Sequence, residues 1–182
     1  MGGCTLSIPY SMNCSRCILD IETTSFQPWS GRIICIGIKD ACNGDVQVFY
    51  DDDEESLLMQ FFRYVNKKQY GEIIGFNLAF DMRFIFARCL LYKIQSYGFF
   101  DTVQTDLMMI LKNVKKGFNY NQPGTLNDWA TALLGRRKLF DNTQVPELYD
   151  HDRIQDLIEY NQNDLELTYE LWGWVQIVLQ ST

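Results

Sequence analysis

Apolar and polar positions in this chain change period several times, and each change marks a predicted element. Residues 15–22 end in Cys17-Ile18-Leu19-Asp20-Ile21-Glu22, an apolar run interrupted by two carboxylates one residue apart, which predicts a first strand. Arg32 to Lys39 (RIICIGIK) is β-branched and apolar and predicts a second strand. Asn43-Gly44-Asp45 supplies a turn into a third, Val46 to Tyr50, so the three should form a meander. The acids Asp51 to Glu55 stand directly before a helix-periodic segment, Leu57 to Lys67. Carboxylates there suit a helix N-terminus better than a metal site.

The second half mixes the two periods. Glu72 to Phe76 reads as a short buried strand, and Ala79 to Tyr92 as a helix burying Phe84, Ile85, Ala87 and Leu91. Tyr97 to Phe100 is a fifth strand candidate, followed by a helix over Val103 to Leu111. A polar, basic connector, Lys112 to Gly124, leads to a helix over Leu126 to Leu134 that Gly135 ends. A loop through Pro146 follows, then a helical stretch from Arg153 to about Leu179 with a break expected near Asn161. Strands first, then strands mixed with helices, indicate an α/β fold with a partly antiparallel sheet.

At 182 residues, 47% hydrophobic and 21% charged, the chain suits one globular domain over 1–182, with 1–14 an irregular lead-in. No apolar run is long enough to span a membrane, and the first residues lack the features of a secretion signal. Six scattered cysteines, Cys35 and Cys89 among them in apolar runs, suit reduced core thiols and a cytoplasmic, reducing compartment. Cys14-x-x-Cys17 is half of a zinc knuckle without its other half. A net charge of −7 argues against a protein that coats nucleic acid by charge alone, but not against an enzyme whose acids hold metal.

Those acids carry the chemistry. On a strand, Asp20 and Glu22 share a face while Leu19 and Ile21 point into the core. Two adjacent like charges repel, and a hard divalent cation is the natural counter-charge for carboxylate oxygens. Asp81 follows a short strand at the start of a helix, and Tyr160 and Asp164, four apart, share one helix face. Taken singly, each acid reads as a cap or a surface charge. The four together, at the ends of apolar elements, form a specific pattern.

ILDIETT, GFNLAFD and YNQND resemble the three exonuclease motifs of the DEDD superfamily of 3′–5′ exonucleases. Asn77 and Asp81 match the N-x-x-[FY]-D form of the second motif, and Tyr160-x-x-x-Asp164 the tyrosine form of the third. The histidine form would need His at position 159, which is Glu; the single histidine, His151, lies too far upstream. Phe100-Asp101-Thr102 and Thr125-Leu126-x-x-Trp129-Ala130-x-x-Leu133-Leu134-Gly135 are similar to the proofreading domain of DNA polymerase I and to ribonuclease D-like proteins. The first and third motifs resemble the proofreading domain of family B DNA polymerases equally well. Ser25 departs from the glycine many such proteins carry there.

The resemblance implies an RNase H-like mixed five-stranded sheet with helices on both faces. It implies two divalent cations, Mg²⁺ or Mn²⁺, held by Asp20, Glu22, Asp81 and Asp164, with Tyr160 orienting the attacking water. Thr23 and Phe26 fall where such proteins contact the terminal nucleotide, and Asn77 where they contact the penultimate one. The expected substrate is the 3′ end of single-stranded nucleic acid, with DNA favoured over RNA. A polymerase or another replication or repair protein is the partner this implies. A ribonuclease D-like exoribonuclease and a non-catalytic nucleic-acid-binding module of the same fold are the alternatives. Lys112, Lys115, Lys116, Arg136, Arg137 and Lys138 flank one predicted helix, and the last three are expected to hold the phosphate backbone.

Overall fold

The sheet is built outward from the strand that carries Asp20 and Glu22. In the computed structural model, which describes residues 15–113 and 124–180, β1 (Arg16–Thr23), β2 (Ile33–Asp40) and β3 (Val46–Tyr50) form the expected antiparallel meander. The lead-in 1–14, with Cys14, and Lys115 and Lys116 of the connector lie outside these residues. β4 (Glu72–Gly75) pairs with β1 in parallel, and β5 (Val103–Asp106) pairs in parallel with β4. The order is β3-β2-β1-β4-β5, so β1 is central.

Strand alternation gives β1 two buried faces. Cys17, Leu19 and Ile21 pack into a core closed by α1 (Glu54–Lys68) and α2 (Leu78–Tyr92), with Leu57, Phe61, Phe62, Phe84 and Ile85 at its centre. Ile18 lies on the opposite face, against Leu165 and Leu171 of α6 (Ile154–Gln180). Asp20 and Glu22 share that second face, where the apolar cover ends.

The acid run before α1 caps it as expected. Asp53 accepts a hydrogen bond from the Ser56 amide at 3.1 Å, and Glu54 and Glu55 sit in the first turn. Glu54 also turns inward. Its carboxylate accepts from the Arg88 guanidinium of α2 at 2.9 and 2.5 Å and from the Ile33 amide at 2.6 Å, pinning both helices to the sheet.

Five elements differ from expectation. The fifth strand is Val103–Asp106 rather than Tyr97–Phe100, because Tyr97 and Gly98 take left-handed backbone angles (φ 49° and 82°) that break an extended run. Phe99–Asp101 is instead a 3₁₀ turn whose Phe99 plugs the core. The helix expected over 103–111 begins only at Leu107, as α3 (Leu107–Asn113), where the Asp106 carboxylate accepts from the Met108 amide at 3.0 Å. The 126–134 segment starts as α4 (Leu126–Trp129), with Thr125 and Asp128 forming a capping box, and widens into a π turn (Ala130–Leu134). The loop through Pro146 contains a helix, α5 (Val145–Asp150), because proline near a first helical position is pre-set for the turn. α6 runs unbroken through Asn161.

Cys17, Cys35 and Cys89 are buried free thiols, as the apolar runs suggested, whereas Cys42 is disulfide-bonded. Among the described residues no helix is long and apolar enough to cross a membrane.

Candidate active site

Three elements bring the acids together. β1 presents Asp20 and Glu22, the first turn of α2 presents Asp81, and α6 presents Tyr160 and Asp164. One oxygen from each of Asp20, Glu22 and Asp164 falls within 4.8 Å of the other two. Asp81 stands beside this trio and lines the same cleft, of about 670 Å³, but is anchored differently. Its Oδ1 accepts from the Ile21 amide at 3.0 Å, between the two acids of β1.

Packing four carboxylates under helices disfavours their charged forms. Burial, and then the charge of Asp164, push the Asp20 carboxyl up to about 7. Glu22 and Asp81 are raised well above the usual carboxylate range by burial and then by Asp20. Asp164 is raised by burial, while Lys138 and the Tyr160 hydroxyl hold it down.

Lys138 lines the cleft and reaches the acids themselves: its ammonium lies 2.6 Å from Asp164 Oδ2 and 4.8 Å from the centroid of the Tyr160 ring. Arg136 turns the other way and pairs with Glu170 on α6, and Arg137 lines the cleft. Gly135 ends the helical segment directly before them in a left-handed turn (φ 64°).

The expected substrate contacts are spread along the rim. Asn77 lines the cleft in a left-handed conformation (φ 62°) at the head of α2. Its side chain does not cap the helix; the Asp106 carboxylate does so from β5, accepting from the Asn77 amide at 3.0 Å. Phe26 is 67% exposed and meets Phe80 edge to face at 6.2 Å. The Thr23 hydroxyl donates to the Ser25 carbonyl at 2.9 Å and is not among the cleft-lining groups. Tyr160 is fully buried beneath Lys138 and Phe140, whose ring centroid is 5.9 Å away, and burial together with Asp164 raises its hydroxyl pKa.

Two site residues escaped the sequence reading. Asn161 donates from Nδ2 to Asp20 Oδ2 at 2.8 Å and to the Asp20 carbonyl at 3.2 Å. Gly37, the register partner of Asp20 on β2, leaves the space Asn161 occupies. Both left a signal: Asn161 interrupts the Leu157, Leu165 stripe at helical spacing, and Gly37 interrupts an otherwise apolar strand.

The donor set suits a hard divalent cation. Every candidate ligand is a carboxylate oxygen, and Asp164 Oδ1 is buried without a hydrogen-bond partner. An orphaned acceptor among mutually repelling acids is relieved by a cation.

A mixed five-stranded sheet with acids on its central strand and on helices against either face defines an RNase H-like α/β protein. The chain belongs to the RNase H superfamily, whose family model matches residues 17–176. It is 32% identical, over 170 residues, to an uncharacterized protein of Methanocaldococcus jannaschii, covering 87% of this chain and 93% of that protein. Its fold is similar to that of the family B DNA polymerase from the hyperthermophilic archaeon Pyrobaculum calidifontis. The TM-score is 0.73 at 18% identity, covering 90% of this chain and 24% of the polymerase chain. The chain thus spans about a quarter of that polymerase.

Proposed function

We propose that this protein is a metal-dependent 3′–5′ exonuclease that removes nucleoside 5′-monophosphates from the end of single-stranded nucleic acid, DNA in preference to RNA. One observation carries the reading: Asp20, Glu22 and Asp164 converge within 4.8 Å, with Asp81 beside them, on a superfamily fold. Four converging acids also favour an enzyme over a binding module, which has no use for a costly cluster of like charges.

In this reading Asp20, Glu22, Asp81 and Asp164 hold two divalent cations, Mg²⁺ or Mn²⁺. Bound there, the cations lower the pKa of an attacking water and neutralise the departing 3′-oxygen. The chain's own groups do the rest. Tyr160, its pKa raised, stays protonated at neutral pH, so its hydroxyl orients the water rather than acting as a base. Lys138 and Phe140 pack against that ring and line the same cleft, so they hold it beside the acids. Phe26, exposed against Phe80, offers the terminal base an apolar edge without sequence preference. Thr23 and Asn77 contact the last two nucleotides, and Arg137 the backbone beyond them. A polymerase or another replication or repair protein is the partner that would bring such ends to the site.

The test uses purified protein on 5′-labelled single-stranded DNA and RNA of one sequence. Mg²⁺ or Mn²⁺ should give a ladder shortening from the 3′ end, faster on DNA. EDTA should abolish it, and Asp20→Ala should lower turnover by several orders of magnitude with circular dichroism unchanged. Activity that survives EDTA, or a folded Asp20→Ala variant at near wild-type rate, would remove the basis of the proposal.

A further inference from the structure

Asn161 is buried completely, against Asp20, with its carbonyl oxygen Oδ1 lacking any hydrogen-bond partner. A polar residue placed this way weakens the core it sits in, because a buried acceptor has given up water for nothing. Its other end explains the placement. Nδ2 donates to Asp20 twice, to the carboxylate at 2.8 Å and to the carbonyl at 3.2 Å, so one amide fixes the side chain and the strand beneath it.

The sheet is shaped to admit this amide. A Cβ on Gly37 would lie 1.8 Å from Asn161 Oδ1 and 2.8 Å from both Asn161 Cγ and Leu165 Cδ1. Only glycine leaves α6 room to come this close to β2, directly across from Asp20. Lys138 acts differently, supplying a charge to Asp164. The amide supplies direction without charge, so it can hold a carboxylate in place without opposing a cation on its other oxygen.

We infer that Asn161, seated in the gap left by Gly37, is a positioning residue that aims the Asp20 carboxylate at the divalent cation. The inference rests on the metal-dependent reading above and deepens it. Asn161 touches no substrate in this scheme and acts through Asp20.

Structural and positioning roles predict opposite outcomes for Asn161→Leu, which is close in volume and removes the orphaned oxygen. Mn²⁺ affinity, measured by calorimetry and by the electron paramagnetic resonance of free Mn²⁺, should fall about 10–100-fold, the usual effect of losing a partner of a metal-bound side chain. The metal-free melting temperature should change little, because the lost donor to Asp20 and the lost orphaned acceptor offset each other. Rate at saturating Mn²⁺ should recover more than rate at low Mn²⁺. Gly37→Ala should destabilise the wild-type chain more than the Asn161→Ala chain, since the smaller residue vacates the space. Unchanged Mn²⁺ affinity in a folded Asn161→Leu protein overturns the inference and leaves the metal reading standing. A lowered melting temperature with unchanged affinity assigns Asn161 to packing alone and overturns it as well. If the wild-type protein binds no Mn²⁺, both readings fall together.

Discussion

Replacing Lys138 with methionine keeps its stem against Tyr160 and removes the charge that faces Asp164. The lysine and aspartate side chains are 13% and 3% exposed, so solvent screens little of their 2.6 Å contact. Removing one partner of a buried ion pair typically costs about 3–5 kcal/mol, because the other charge stays buried and uncompensated. For a domain of this size that is roughly 6–20 °C in Tm. Proton uptake limits the loss: with the Asp20 carboxyl titrating at about 7, the cluster can take up a proton in acid. The deficit of Lys138→Met should therefore be small at pH 5 and full at pH 8. A divalent cation supplies the same compensation, and at 100 times its Kd contributes about 2.7 kcal/mol. Urea melts at pH 8 in EDTA and in Mg²⁺ should show a large deficit that the cation narrows. A variant as stable as wild type in EDTA, or a deficit the same with and without Mg²⁺ and Mn²⁺, would refute the reasoning that this ammonium offsets the carboxylates.

Tyr160→Phe should lower turnover by about 10–10³-fold, less than Asp164→Ala, because a positioned hydroxyl contributes less than a metal ligand; initial rates on a labelled oligonucleotide decide the order. The metal-free protein should lose stability as pH rises between about 3.8 and 7. Folded Asp20 keeps its proton across that window while unfolded Asp20 gives it up, so the slope reaches about 1.4 kcal/mol per pH unit and flattens above it. Denaturant melts across pH check this, and Asp20→Asn should remove that contribution. Arg88→Met should cost about 3–5 kcal/mol by the same melts in EDTA and in Mg²⁺ alike, since the Glu54 carboxylate it strands belongs to the junction of the two helices.

The sequence was most readable where one local rule decides. Strand alternation put Asp20 and Glu22 on one face, and the acid run before Leu57 marked the start of α1. The fifth strand was misread because β5 is a four-residue edge strand with polar Gln104, Thr105 and Asp106, held by pairing with β4 rather than by its own pattern. Lys138 could not be told from its neighbours Arg136 and Arg137, because three basic residues in a row carry no local signal of which one meets Asp164 and which Glu170. Asn161 sat inside a recognised motif, but its partner on β1 lies 141 residues away, a distance no local period encodes. Its reading as a helix break followed its polarity, while the donor it provides to Asp20 became visible only in three dimensions.

That same separation orders events while the chain is being made. The meander of β1, β2 and β3 is complete by Tyr50, and its two acids leave the ribosome with it. Asp81 follows some 60 residues later in the chain. Lys138, Tyr160 and Asp164 come only with the last third, and α6 must then dock across the sheet to close the site. A nascent chain thus carries its acids apart, and the candidate site is assembled only once α6 has docked against the sheet.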